Sequence, residues 1–168
     1  MNKILLLFIL NVILLFAGPV KNDFYDLSAI SIDGDTISMD KFKNKTIMIV
    51  NVASQCGYTP QYSELKKLNI IYDSTLAILG FPSNDFLWQE PGENDEIKLF
   101  CQRNYGVTFQ MFEKTHVKGK KMHPIYDWLS SKDQNGWNEQ TPKWNFYKYV
   151  INKEGKLINF FPPSMSPL

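Results

Sequence analysis

Cysteine is nearly missing from this chain: among 168 residues only Cys56 and Cys101 occur. Two thiols allow at most one disulfide, which could persist if the chain is exported. With no Cys-x-x-Cys pair they do not make a dithiol exchanger, and the short paired spacings of a zinc site shared with His116 and His123 are absent. An excess of one charge is missing too. Eighteen Lys and Arg against seventeen Asp and Glu leave a formal net charge of +1, which gives no electrostatic footprint for nucleic acid or an anionic membrane. No glycine-rich phosphate loop and no serine in a nucleophile-elbow pattern occurs, and no motif asks for a metal or a cofactor. Repeats, low-complexity tracts and internal linkers are absent.

Long apolar runs are lacking except at the start. Met1-Asn2-Lys3 is short and positive, Ile4 to Phe16 is apolar apart from Asn11, and Ala17 is a small residue suited to cleavage. Residues 1–17 read as a signal peptide, shorter than the roughly 18 residues of a membrane span. The protein is therefore expected to be exported, to a periplasm or the extracellular space, or held as a membrane anchor if the segment stays uncleaved. Residues 18–168 then form one domain with a single sizeable core. Asn44-Lys45-Thr46 matches a glycosylation sequon, which matters only in a eukaryotic secretory route.

What is present is an alternation of strand and helix patterns. Ile30-Ser31-Ile32 and Thr36 to Met39 alternate around Asp33-Gly34 and predict a β-hairpin. Thr46 to Ala53 is a strand buried on both faces. Thr59 and Pro60 predict the cap and first position of a helix running to about Asp73. A second buried strand over Leu76 to Phe81 precedes the polar loop Ser83 to Gly92 and a helix over Glu93 to Asn104. A strand over Val107 to Phe112, a helix over Pro124 to Ser130 and a hairpin of Phe146–Ile151 with Lys156–Phe161 complete the chain. This order predicts an α/β fold, a central mixed sheet flanked by helices with an N-terminal β-hairpin and antiparallel pairing at one edge.

Cys56 follows the first buried strand and precedes a helix, beside unpaired backbone N–H groups and the positive end of the helix dipole. That setting favours the thiolate, the reactive form of the side chain. A free cysteine is otherwise often a small buried hydrophobe. The turn residues Gly57 and Pro60 favour an exposed, reactive sulfur at the carboxyl end of a central strand, where such sheets place their sites.

The segment Asn51-Val52-Ala53-Ser54-Gln55-Cys56-Gly57-Tyr58-Thr59-Pro60-Gln61-Tyr62 closely resembles the active-site segment of glutathione peroxidases. Leu79 to Phe86, Gln89-Glu90-Pro91-Gly92, Trp144-Asn145-Phe146 and the tail Phe161 to Pro167 agree with the same family in order and spacing. The resemblance spans about Phe24 to Leu168. It implies a thioredoxin-like fold and reduction of hydrogen peroxide and organic or lipid hydroperoxides. It assigns catalytic roles to Cys56, Gln89, Trp144 and Asn145. The three partners carry neutral N–H donors that can hold a thiolate and orient a peroxide. Trp144 and Asn145 are neighbours, so both reach Cys56 only from an irregular stretch ahead of the strand, or through a backbone N–H.

Cys101 lies on the apolar side of its helix and reads as a buried thiol. Phe100 to Phe109 nevertheless resembles the resolving-cysteine segment of thioredoxin-dependent members. That resemblance implies that a Cys56 sulfenic acid condenses with Cys101 and that a thioredoxin-like protein, rather than glutathione, reduces the disulfide. A disulfide needs Cα atoms within about 7 Å, so the 93–104 helix is expected to unwind in part. Ser83 and Asp85 depart from the family's Cys and Gln, and cysteine stands at 56 where many animal members carry selenocysteine. The short stretch 136–143 favours a monomer with an open site, and relatives usually continue into a terminal helix beyond the position of Leu168. The same residues would also serve a redox sensor or relay that passes oxidation to a partner protein. A third reading makes Cys56–Cys101 a purely structural disulfide.

Overall fold

A computed structural model describes residues 23–168; the expected signal peptide, residues 1–17, lies outside them. The expected N-terminal hairpin is β1 (Ser28–Ile30) with β2 (Thr36–Ser38), flanked by 3-10 turns at Phe24–Asp26 and Met39–Phe42. The remaining strands are β3 (Thr46–Val52), β4 (Leu76–Pro82), β5 (Gln110–Met111), β6 (Lys148–Ile151) and β7 (Leu157–Phe161). They form one sheet in the order β5-β4-β3-β6-β7, with β3, β4 and β5 parallel and β6 and β7 antiparallel. The helices are α1 (Gln61–Ile71), α2 (Asn94–Tyr105), α3 (Pro124–Leu129) and the short α4 (Lys132–Asn135), which the sequence pattern did not predict.

The period of two in the central strands divides the core. Ile47 and Ile49 of β3 and Ala77, Leu79 and Phe81 of β4 face a cluster that includes Phe24, Tyr126 and Trp128. Val50 and Val52 with Ile78 face the other way, against Tyr62 and Leu65 of α1 and Ile97 and Cys101 of α2. Both faces of β3 and β4 are covered, as a near-continuous apolar run requires. Cys56 belongs to the second cluster, so both cysteines lie on the α1–α2 side of the sheet.

Three local expectations are corrected. β5 holds two residues rather than six, because Val107 N–H is taken by the Cys101 carbonyl at the end of α2 and Phe112 pairs instead with Ser31. Thr59 does not cap α1: the helix starts at Gln61 after Pro60, and the Thr59 hydroxyl turns back toward the Cys56 loop. Phe146 lies outside β6, in a turn with a left-handed φ of 65°.

Candidate active site

The Cys56 loop leaves the carboxyl end of β3 and folds around Thr59. The Thr59 hydroxyl accepts the Cys56 N–H at 2.9 Å and donates to the Ala53 carbonyl at 2.8 Å. The Cys56 sulfur accepts the Tyr58 N–H at 3.4 Å, so a backbone donor already faces the position where a thiolate would hold its charge. Cys56 is 7% exposed and carries a free thiol. The sequence reading expected an exposed sulfur; the thiol is instead largely covered, because the loop packs into the α1–α2 core.

Gln89 reaches this loop through a strained turn. Leu87 and Trp88 both adopt left-handed φ values, 51° and 53°. That conformation costs a non-glycine residue roughly 1–2 kcal/mol. Two bonds close the turn: Gln89 N–H to the Phe86 carbonyl, and Glu90 N–H to the Asn84 side chain. The chain then runs alongside the cysteine loop, where Gln55 N–H donates to the Gln89 carbonyl at 2.9 Å.

Trp144 and Asn145 come from the turn ahead of β6, the irregular stretch that neighbouring residues need in order to face one site. The Asn145 amide donates to Gln89 Oε1 at 3.0 Å. With its oxygen engaged, Gln89 is left with its N–H end free to donate. Trp144 packs against Phe86 at 6.0 Å between centroids and against the cluster that holds Cys56. Gln89 and Asn145 are therefore joined beside the Cys56 loop, and Trp144 packs against both core clusters. Cys101 shares the Cys56 cluster, 1% exposed in the later turns of α2, with burial pushing its thiol up to about 11.

Asn51 was not singled out by sequence reasoning, and it holds the Trp144 turn in place. Fully buried in β3, it donates through Nδ2 to the Trp144 carbonyl and accepts the Tyr147 N–H through Oδ1, both at 3.0 Å. The signal was visible: an amide inside an apolar strand must have partners. Glu90 was also passed over. It is 1% exposed and its carboxylate oxygens form no well-aligned hydrogen bond. A glutamate in a polar loop reads as solvated, so nothing in the pattern pointed to it.

The two departures from the family pattern have structural places. Ser83 is buried and accepts the Asp85 N–H at 3.4 Å. Asp85 clamps the chain after β5, accepting the Val117 N–H and pairing with His116, each at 2.7 Å. His123 caps α3 by accepting the Ile125 N–H. Among the described residues no group of three or more His, Cys, Asp or Glu side chains gathers as a metal site, and no helix is long and apolar enough to cross a membrane.

The sequence profile of the glutathione peroxidase family matches residues 24–130. The chain belongs to the glutathione peroxidase family. It is 49% identical over 146 residues to a glutathione peroxidase of Lactococcus lactis, covering 86% of this chain and 92% of that one. It is 42% identical over 147 residues to a glutathione peroxidase-like peroxiredoxin of Saccharomyces cerevisiae, covering 87% and 90%. A hydroperoxy fatty acid reductase of Synechocystis is 40% identical over 157 residues, covering 89% and 92%. Among solved structures, apo Trgpx superposes with a TM-score of 0.68 at 28% identity, over 88% of this chain and 89% of that one. A thioredoxin-family thiol:disulfide interchange protein of Chlorobium tepidum superposes at 0.57 over 86% and 88%; its 14% identity speaks to the fold alone. The expected thioredoxin-like fold is thus present in this glutathione peroxidase family member.

Proposed function

We propose that this protein reduces hydrogen peroxide and organic or lipid hydroperoxides through Cys56, with Cys101 as the resolving thiol and a thioredoxin-like protein as reductant. The observation that carries the reading is the meeting of two separate chain segments, the Gln89 loop and the Trp144–Asn145 turn, beside the Cys56 loop. Gln89 and Asn145 are joined by a hydrogen bond and Trp144 lies against the cluster that holds the thiol.

In the first step the Cys56 thiolate attacks one peroxide oxygen. The S–O bond forms, the O–O bond breaks, and negative charge moves onto the leaving oxygen. Neutral N–H donors preset around that path stabilise the charge without reorganising. In the second step Cys101 attacks the sulfenic acid, giving a disulfide and water. Cys101 lies in a helix that ends in a left-handed Gly106 (φ 59°), and it lines a cavity of about 260 Å³ with Gln102, Val107 and Phe109. Hinge and free space together support partial unwinding of α2 to deliver the thiol.

A monomer exported by its N-terminal segment completes the proposal. The deciding experiment is stopped-flow turnover of reduced protein with hydrogen peroxide and a lipid hydroperoxide, using thioredoxin or glutathione as donor. Wild type should cycle with thioredoxin, Cys56→Ser should be dead, and Cys101→Ser should stall after one turnover. Cycling of Cys101→Ser with glutathione would refute the resolving role and the donor. Rapid Cys56 oxidation with neither donor supporting turnover would favour a relay to a partner protein.

A further inference from the structure

Resolution sets an acid–base problem that the residues named so far leave open. Cys101 must act as a thiolate, yet burial holds its thiol up at about 11. The leaving group on Cys56 is a hydroxide that needs a proton.

The α1–α2 side of the sheet holds a buried polar cluster with no structural use. Glu90 is 1% exposed and its carboxylate oxygens form no well-aligned hydrogen bond, with Ser54 beside them; the buried Tyr62 hydroxyl faces the Cys101 sulfur. Leaving such groups unpaired costs roughly 1–3 kcal/mol each, and more for a charge. Glu90 lines a cavity of about 400 Å³ between Ser54-Gln55, immediately before Cys56, and Glu96, Ile97 and Phe100 of α2. Ile97 and Cys101 stand one helical turn apart and both are buried on one face. The Glu90 carboxylate acts electrostatically on both the Cys101 thiol and the Tyr62 hydroxyl, and Tyr62 lies against the Cys101 sulfur.

We propose that Glu90 is the proton acceptor for Cys101 during resolution; the idea rests on the reading of Cys101 as the resolving thiol. Glu90 takes the Cys101 proton as the sulfur attacks Cys56. The S–S bond forms and the S–O bond of the sulfenic acid breaks, so the Cys56 sulfur is reduced and the Cys101 sulfur oxidised. The departing hydroxide takes up the proton that Glu90 accepted and leaves as water, so the thiol and the sulfenic acid give one disulfide and one water. Transfer from thiol to carboxylate moves one negative charge within the cluster and creates no second one.

The groups around Glu90 fit this role. Tyr62 comes from α1, Cys101 and Glu96 from α2, Ser54 from the loop after β3 and Lys114 from the segment after β5. Burial pushes the carboxyl up to about 7, with Ser54 and Lys114 pulling it back, so both protonation states are populated near neutrality. A proton acceptor is most effective in that range.

The test isolates the second step. Reduced protein is oxidised with one equivalent of hydrogen peroxide, and loss of the sulfenic acid is followed by dimedone trapping from pH 5 to 9. Wild type should lose it at a rate that rises and then levels off as Glu90 ionises. Glu90→Gln should slow the loss about a hundredfold at neutral pH, within the usual range for acid–base assistance. The levelling off should vanish, and Glu90→Asp should restore part of both. An unchanged rate and profile in Glu90→Gln overturns the proposal. If wild type loses the sulfenic acid no faster than Cys101→Ser, the resolving role fails first and the proposal falls with it. Should Glu90→Gln not fold, the carboxyl is titrated in wild type by infrared spectroscopy. Its midpoint must coincide with that of the rate, and a carboxyl ionised throughout this range overturns the idea.

Discussion

Replacing Asn51 with alanine should damage the site more than the fold. Its buried side chain makes two hydrogen bonds, to the Trp144 carbonyl and from the Tyr147 N–H, both at 3.0 Å. Truncation leaves one acceptor and one donor unpaired, at about 1–3 kcal/mol each. The expected loss of stability is therefore roughly 2–6 kcal/mol, measurable by urea unfolding. The turn would still be tethered by Phe146 N–H to the Asn51 carbonyl and by Lys148 to the Phe146 carbonyl, so the sheet should survive. Trp144 and Asn145 would lose their fixed placement, and a shift of about 1 Å can cost about a hundredfold in rate. Asn51→Asp separates the two bonds: it keeps the acceptor for Tyr147 and faces the Trp144 carbonyl with a carboxylate. It should react as slowly as the alanine variant. Stopped-flow oxidation of Cys56 at wild-type rate in a destabilised Asn51→Ala would show that Asn51 supports only the fold, and would refute the reasoning.

Further outcomes can be checked separately. Trp144→Phe keeps a ring against Phe86 and removes the N–H, so Cys56 oxidation should slow about a hundredfold with the melting temperature little changed; an equal loss of both would reduce Trp144 to packing. Burial raises Glu90 from an ordinary 4.5 to about 7, so its folded state favours the neutral acid. The resulting stability is full below pH 4.5 and lost as pH rises through 7, about 3 kcal/mol in all at about 1.4 kcal/mol per pH unit. Glu90→Gln should consequently melt above wild type at pH 8, with the gap closing toward pH 4; a gap independent of pH refutes this. In Cys56→Ser, iodoacetamide should label Cys101 about a hundredfold more slowly at pH 8 than a free thiol of ordinary pKa 9.0, with the rate climbing toward pH 11. Labelling as fast as a short peptide would contradict its burial.

The strands and helices were legible because each is written in a local period. Alternate residues of β3 and β4 divide cleanly between the two core clusters, and Ile97 and Cys101 mark the buried face of α2. The site was legible only where a family motif named its residues. Its supports were not, because they depend on pairings between distant segments. Thr59 fits a helix cap by sequence, but the Cys56 N–H and the Ala53 carbonyl compete for the same hydroxyl and win it. Phe146 has the composition of a strand residue. Three bonds from elsewhere hold the Trp144–Tyr147 turn instead: two from the Asn51 side chain and one from Phe146 N–H to the Asn51 carbonyl at 2.6 Å. That turn is what lets the adjacent side chains of Trp144 and Asn145 share one site, which a regular strand would forbid. Glu90 is the extreme case. A carboxylate next to a proline and a glycine has every local reason to be solvated, and only the closing of the Leu87–Trp88 turn against the Cys56 loop buries it. A carboxyl buried there is a standing cost to the fold at neutral pH and above, and proton acceptance from Cys101 would give that cost a use.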